Sequence, residues 1–440
     1  MWGFALAIAV GSLLLMLPPS HLPGRVDPLD ALFTATSAVC VTGLVVVDTA
    51  RDYTMFGQIV IMLLIQLGGL GVMTFAAVIF RVLGRRMSLS TRAALQDSFS
   101  QRDTASEFRE LFTGILRTVG AIEALGALVL FLSLLGTHSA GRALYSAVFH
   151  SISAFCNAGF SIYSENLVYL EHNPVALSVI MLLIVFGGLG HVVLRELWML
   201  AGIVTRRRPR RPGGRLSPLS FHARVVLAVT GSLIVGGTVC LAVLGLTEQQ
   251  ASLGSRLWAG LFQSVTARTA GFNTVAIGSL PVASLTLIAG LMFIGGSPGS
   301  CAGGVKTTSF AIYLAQVRSL LSRQAETKLL GRSLPKELVE RATQVFVLAA
   351  GWNLVGVLLL SAIEAPASGL NLEHLVFEQM SAFGTVGLSA DVTPILSTAG
   401  RLWIIATMFV GRLGPLTLAT WVAFGKAPRV RHPEGRLMIG

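Results

Sequence analysis

One glycine recurs four times along this chain, and each time it closes the same short pattern. The stretches ALFTATSAVCVTGL, AVFHSISAFCNAGF, GLFQSVTARTAGF and LVFEQMSAFGTVGL all contain Phe, three residues, Ser or Thr, then Ala: Phe33–Ala38, Phe149–Ala154, Phe262–Ala267 and Phe377–Ala382. Each then reaches a glycine: Gly43, Gly159, Gly271 and Gly387, spaced 116, 112 and 116 residues apart. The third copy is one residue shorter between its Ala and its Gly. A second pattern follows every time: QLGGLG at 66–71, VFGGLG at 185–190, FIGGSPG at 293–299 and FVGRLG at 409–414. Its first glycine lies 25, 28, 24 and 24 residues beyond the preceding one. A chain with this periodicity is four copies of one supersecondary unit, and any fold must seat them equivalently.

Composition names the solvent. Only 12% of the 440 residues are charged and 53% are hydrophobic, against roughly 25% charged in soluble domains. Such a chain cannot cover a water-facing surface. Apolar stretches run at about 1–17, 55–80, 111–136, 174–204, 223–247, 281–294, 342–363 and 402–425, and most reach the roughly 20 residues of a spanning helix. Residues 1–17 lack a basic start and a small-residue cleavage site, so they read as a retained span and not a leader.

The net charge of +12 would suggest nucleic acid if the charges were scattered. They alternate instead. Segments 81–118, 195–224, 318–341 and 426–436 hold 25 of the 33 basic residues. The intervening loops hold six, against eleven acids. The basic loops are therefore expected on the cytoplasmic side, giving eight spans with both termini inside. RRRPRR at 206–211 reads as a topology anchor. Cys40, Cys156, Cys240 and Cys301 sit among apolar neighbours in sequence, with neither a disulfide framework nor metal-ligand spacing.

The stretch before each filter glycine is about ten to twelve residues, too short to cross and apt to re-enter. The expected fold is an all-α polytopic membrane protein: four tandem helix–pore-helix–filter–helix units around a pseudo-fourfold pore. Non-helical backbone survives at membrane depth only when it is buried in protein or lines water. Four glycine-bearing turns converging on an axis would present carbonyl oxygens in place of a cation's hydration shell. The half-helix C-termini, partially negative, would point at the same axis. No ring of Asp or Glu occupies the four positions, so divalent-type coordination is unsupported.

RTAGFNT at 268–274, FGTVGLS at 383–389 and GGSPGSCAGGVKTT at 295–308 closely resemble the Trk/Ktr/HKT superfamily of potassium transport proteins. The resemblance covers essentially the whole chain and is strongest to the Ktr membrane subunit, KtrB, because no extra helical pair precedes the first unit. It implies a potassium-selective path, since the family's filter glycine is present in all four units, Gly43 included. The filter residues it implies are Val39, Cys40, Val41, Thr42 and Gly43; Phe155, Cys156, Asn157, Ala158 and Gly159; Ala267, Arg268, Thr269, Ala270 and Gly271; and Phe383, Gly384, Thr385, Val386 and Gly387. It further implies K+ as the transported ion, coordinated by backbone carbonyls only. The expected partners are a cytosolic RCK-type nucleotide-binding regulatory ring (KtrA-like), a homodimer of this subunit and membrane lipid, in the plasma membrane. Ktr systems are typically sodium-stimulated, although no residue here marks a Na+ site. The chain carries no Walker motif, so it binds no nucleotide itself.

The third inner helix is interrupted by Gly295, Gly296, Ser297, Pro298, Gly299, Ser300, Cys301, Ala302, Gly303 and Gly304, and helix is expected to resume near Lys306. Five glycines and a proline in ten residues cannot hold a regular helix. The bland reading is a kink that eases packing; the sharper one, which the resemblance favours, is a gate loop below the filter. Arg412 stands where the other units have Gly69, Gly188 and Gly296. A mid-span arginine costs about 2.5–3.5 kcal/mol and marks a functional site. Arg412 is expected to donate to carbonyls of 295–304 and to repel ions. Glu123 is expected to hydrogen-bond between helices, and His150 and Glu378 to brace the filter from behind. Arg268 is expected to point behind the filter toward a carboxylate such as Glu378. Asn157 and Asn273 are either outer-mouth contacts or turn residues.

The expected limits are 1–86 for unit one, 87–107 for a cytoplasmic connector, 108–204 for unit two and 205–221 for a basic loop. Unit three, with its gate, follows at 222–322, then a connector at 323–335, unit four at 336–425 and a cytoplasmic tail at 426–440. A membrane enzyme would need clustered His, Asp or Ser–His pairs, whereas His191 and Glu123 are isolated. The alternative within transport is a sodium- or proton-coupled potassium symporter with alternating access.

Overall fold

Helix start signals fall where the sequence turns apolar, and the chain obeys them. The computed structural model describes residues 2–71, 105–204, 219–246, 252–324, 326–368 and 370–414. The first quarter holds α1 (Trp2–Leu15), α2 (Pro28–Val39) and α3 (Met55–Gly69). Asp27 caps α2, with Pro28 at its first position and the Asp30 carboxylate accepting from the Asp27 N–H at 3.1 Å, a reciprocal cap. The second quarter holds α4 (Ala105–Leu134), α5 (Ala140–Cys156), α6 (Pro174–Leu189) and α7 (His191–Val204). In the third are α8 (Phe221–Leu244), α9 (Leu253–Thr266), α10 (Val282–Phe293) and α11 (Thr307–Leu321). The fourth holds α12 (Lys336–Ser368), α13 (Leu372–Gly384) and α14 (Thr398–Leu413).

Three of these helices are long and apolar enough to cross a membrane, over Phe112–Leu134, Phe221–Leu244 and Lys336–Glu364, or four if α6 and α7 count as one bent span. Their outer faces carry fully apolar side chains with no protein cover, Leu125 at 63%, Leu358 at 62% and Val243 at 77% exposure. Water would penalise that surface, whereas lipid does not. α1, α3 and α10 are apolar but shorter.

Two expectations need correction. The short helices before the glycines have 12, 17, 14 and 13 residues; the first is as expected and the other three are longer, because the helix continues well upstream of the repeated Phe. The stretch 174–204 is not one straight helix: α6 and α7 meet at 110°. The cause is Gly190, at φ +84. Gly71, Gly299 and Gly414, the last glycines of the same pattern, have φ of +79, +73 and +86. The inner helices end at Gly69, Leu189, Phe293 and Leu413, at the start of this pattern in the third unit and within it in the others, so the third is not alone in ending there. Connector 323–335 also holds a small antiparallel hairpin, Lys328–Leu329 with Arg332–Ser333. The connector 87–107 up to residue 104, the basic run 206–211 and the tail 426–440 lie outside the described residues.

Packing is cyclic. Each inner helix lies against the short helix of the next quarter: α3 on α5, α6 on α9, α10 on α13, and α14 back on α2. The last contact is pinned by Arg401 and Asp30, whose Nη1 and Oδ1 are 2.8 Å apart. Arg401 also donates to the carbonyls of Leu396 and Pro394 at 3.0 and 2.9 Å. The four repeated phenylalanines, Phe33, Phe149, Phe262 and Phe377, are fully buried and anchor the short helices.

Candidate functional site

Beyond each short helix the backbone takes the same unusual course. Val41, Asn157, Thr269 and Thr385, two residues before each repeated glycine, have φ of +56, +61, +79 and +50. Gly43, Gly159, Gly271 and Gly387 follow at +93, +69, +76 and +95. The residue between is not left-handed in any copy. Peptide units that alternate in hand turn their carbonyls toward one edge, unlike a β-strand, whose carbonyls alternate. Left-handed Val and Thr are costly and persist only where surrounding structure fixes them.

These glycines form a closed circuit. A Cβ on Gly43 would lie 3.0 Å from the Cα of Gly159, and one on Gly159 would lie 3.0 Å from that of Gly271. One on Gly271 would lie 3.1 Å from the Cα of Gly387, and one on Gly387 would lie 3.0 Å from Gly43. In the same order each would also strike a neighbouring carbonyl oxygen, those of Ala158, Ala270, Val386 and Thr42. Four backbones and four carbonyls thus meet with no space for a side chain. Glycine is required twice over, by hand and by proximity.

The repeated Ser or Thr fixes this backbone. Ser37 Oγ accepts from the Gly43 N–H at 3.0 Å, and Ser381 Oγ accepts from the Gly387 N–H at 3.1 Å. Ser153 and Thr266 instead donate to the carbonyls of Phe160 and Phe272, each at 2.7 Å. Sequence reasoning missed this role, although the residue recurs in all four copies. Behind the ring, Gly68, Gly187 and Gly411 of the inner helices abut the carbonyls of Val39, Phe155 and Phe383, where any Cβ would collide. Glycine there lets helix and short helix touch backbone to backbone.

The other flagged polar residues now have partners. His150 Nε2 lies 2.9 Å from Ser161 Oγ and its ring stacks on Tyr163. Glu378 accepts from Ser389 Oγ at 2.9 Å and from Thr393 Oγ1. Both partners Ser161 and Ser389 stand two residues past a repeated glycine. Glu123 accepts from Gln66 Nε2 at 3.1 Å, joining α4 to α3. Asn157 ends α5, is buried and is hydrogen-bonded to Thr269 at 3.0 Å, so it is a turn residue and not an outer-mouth contact. Asn273 is a turn residue too, bonded to Val275 at 3.0 Å. Arg268 corrects the expectation: it does not meet Glu378. Its guanidinium leaves the segment for the carbonyls of Thr230 and Gly295, at 3.5 and 3.2 Å. Glu378 is already satisfied by hydroxyls, and Arg268 donates instead to a carbonyl within α8 and to one just past the end of α10.

Residues 294–306 form a loop between α10 and α11 that reaches the broken ends of the other three inner helices. The Ser297 N–H donates to the Gly188 carbonyl at 2.9 Å, and the Gly299 carbonyl faces His191 Nδ1 at 3.1 Å. Cys301 is the hub: its N–H donates to the Gly187 carbonyl at 3.2 Å and its thiol to the Gly69 carbonyl at 3.0 Å. Its own carbonyl accepts from Arg412, whose other nitrogen donates to the Gly68 carbonyl. Lys306 Nζ donates to the carbonyls of Ala302 and Gly303 at 2.5 and 3.5 Å. Gly303 abuts the Thr385 side chain, so the loop also touches the fourth segment. Among the described residues neither Arg412 nor Lys306 has a carboxylate ion pair. Two cations on backbone carbonyls, next to a ring of carbonyls, form a site built around positive charge.

A profile of the family described as "TrkH: Cation transport protein" matches residues 8–428. The chain belongs to that family. The Ktr system potassium uptake protein B of Bacillus subtilis (strain 168) is 38% identical over 445 residues, spanning 100% of this chain and 95% of the relative. The potassium/sodium uptake protein NtpJ of Enterococcus hirae is 34% identical, spanning 100% and 96%. The crystal structure of the potassium transporter TrkH from Vibrio parahaemolyticus matches with a TM-score of 0.72 and 19% identity, covering 96% of this chain and 83% of that one. The fold is therefore that of a family of transporters and not of enzymes, in helices with membrane character.

Proposed function

We propose that this protein is the ion-translocating membrane subunit of a Ktr/Trk-type potassium uptake system, with channel-like permeation. The observation that carries it is the closed circuit of Gly43, Gly159, Gly271 and Gly387. Four left-handed turns at touching distance can strip water from a monovalent cation and replace it with carbonyl oxygens. On this reading the residues from Val39, Phe155, Ala267 and Phe383 to their glycines form the filter of four tandem units around a pseudo-fourfold pore. Eight spans then place both termini in the cytoplasm of a multi-pass plasma-membrane protein, within the unit limits given above. Loop 295–304, held by Arg412 and Lys306, closes the path below. A cytosolic nucleotide-binding ring opens it from the basic face, and the subunit works as a homodimer. The relatives, a potassium uptake protein and a potassium/sodium uptake protein, make K+ the cargo and Na+ the ion to test as activator.

Growth of potassium-uptake-deficient cells on limiting K+, with and without Na+, tests this. Wild type should rescue, and Gly43→Ser should lose discrimination against Na+. Failure of the wild-type chain, expressed with a cognate regulator, to rescue at any K+ level would overturn it.

A further inference from the structure

The four cysteines are not alike. Cys240 is exposed on the outer face of α8, and Cys40 is buried at the end of α2. Cys156 and Cys301 meet, 145 residues apart in sequence, one at the end of α5 under the second glycine and the other at the hub of the loop. Both sulfurs lie against Gly69: its carbonyl is 3.0 Å from Cys301 Sγ, and a Cβ added to it would strike Cys156 Sγ. Their surroundings are polar, contrary to the apolar setting expected from sequence. Cys156 donates to Gln66 Oε1 at 3.6 Å and lies 3.9 Å from Glu123 Oε1, and Cys301 donates to the Gly69 carbonyl at 3.0 Å. The Arg412 guanidinium is an electrostatic neighbour of both sulfurs. Cation, sulfur pair and acceptor oxygens are gathered where the filter segment meets the loop.

We propose that Cys156 and Cys301 bind one thiophilic d10 cation of the Ag+ class as a two-sulfur site, and that the bound ion clamps the loop to the second segment and stops flux. The ligand chemistry decides the ion. Among the described residues no group of three or more His, Cys, Asp and Glu side chains could hold a metal, which excludes four-coordinate zinc. Two soft sulfurs select soft ions, and Ag+ is content with two ligands in line. It also has an alkali ion's charge and a comparable size, so the proposed path admits it. Binding replaces one thiol proton with a silver–sulfur bond, the proton passing to water, while the other sulfur donates a lone pair. No electron is transferred and no oxidant is needed. The positive Arg412 nearby favours the thiolate that forms.

This inference rests on the proposed pore for its route and its effect on flux, but the metal site is measured separately. Native mass spectrometry of the full-length protein with Ag+ should count one tightly held ion per chain, and silver-edge X-ray absorption should find two sulfur ligands. Cys156→Ser and Cys301→Ser should each lower the ligand count to one sulfur; Cys240→Ser should change nothing. Wild type giving one sulfur or none, or ligation unaltered in both variants, overturns the site. In proteoliposomes, Ag+ should abolish K+ flux in wild type and in Cys240→Ser, with recovery on adding dithiothreitol. Flux through Cys156→Ser and Cys301→Ser, each relative to its own untreated rate, should resist the same dose. Equal block in all four contradicts the clamp. Absence of K+ flux in untreated wild type would instead indict the pore, leaving the metal count to stand or fall by itself.

Discussion

The Arg412 guanidinium donates a hydrogen bond to the carbonyl of Cys301, 111 residues away in sequence, while its second nitrogen holds Gly68. One side chain from the last inner helix thus ties the loop of the third to the end of the first. Cutting this tie should free the loop. Arg412→Ala is expected to raise K+ flux in proteoliposomes lacking any cytosolic regulator and to shrink the response when regulator is added. Arg412→Lys keeps the charge but loses the two-pronged donation, so it should fall between. Identical regulator-free flux in all three proteins would count against a gating tie.

Ser381 accepts from the Gly387 N–H at 3.1 Å. Its loss leaves a half-buried N–H unpaired, at a cost toward the lower end of about 1–3 kcal/mol. Ser381→Ala should lower thermal stability modestly and reduce K+ over Na+ discrimination, while Ser381→Thr, which keeps the hydroxyl, should retain most of both. Selectivity unchanged by Ser381→Ala would mean the hydroxyl supports only the fold.

The Asp30–Arg401 pair closes the cycle between first and last quarters, with side chains only 10% and 22% exposed. Removing one partner of a buried pair costs on the order of 3–5 kcal/mol because the other charge is stranded. Arg401→Met should therefore lower the melting temperature more than the double variant Asp30→Asn, Arg401→Met does. A double variant that melts lower than Arg401→Met would show that the pair is not what holds α14 to α2.

Glycines in helices fall into two classes. A Cβ on Gly187 would run into the Phe155 carbonyl, whereas one on Gly231 of α8 meets nothing within 4 Å. Gly187→Ala should abolish assembly or uptake. Gly231→Ala should be neutral or stabilising by up to about 1 kcal/mol, the helix propensity difference. Detergent melting curves of the two variants, which should separate widely, provide the check.

Much of this was legible in the chain because repetition is a long-range signal. The spacing of Gly43, Gly159, Gly271 and Gly387 identifies four equivalent positions before any contact is known, and the break at 295–304 follows from local composition. Residues that act across the cycle were less legible. The partner of Arg401 lies 371 residues away, and nothing near Asp30 in sequence marks it. Charge suggests charge, so Arg268 is expected on a carboxylate, yet its acceptors are the backbone carbonyls of Thr230 in α8 and Gly295 in the loop. The bend at Gly190 was hidden inside an unbroken apolar run, since a single left-handed glycine changes direction without changing hydropathy. The cysteines looked apolar by their sequence neighbours, while their spatial neighbours Gln66, Glu123 and Arg412 come from three other helices.

The most direct measurement is the bi-ionic reversal potential of the purified protein in planar bilayers, with K+ on one side and Na+ on the other, for wild type and Gly43→Ser. If the four glycines frame the ion-selecting constriction, wild type should reverse far toward the K+ equilibrium potential and Gly43→Ser should move toward zero. Equal reversal potentials for the two proteins, in membranes where both carry current, would contradict it.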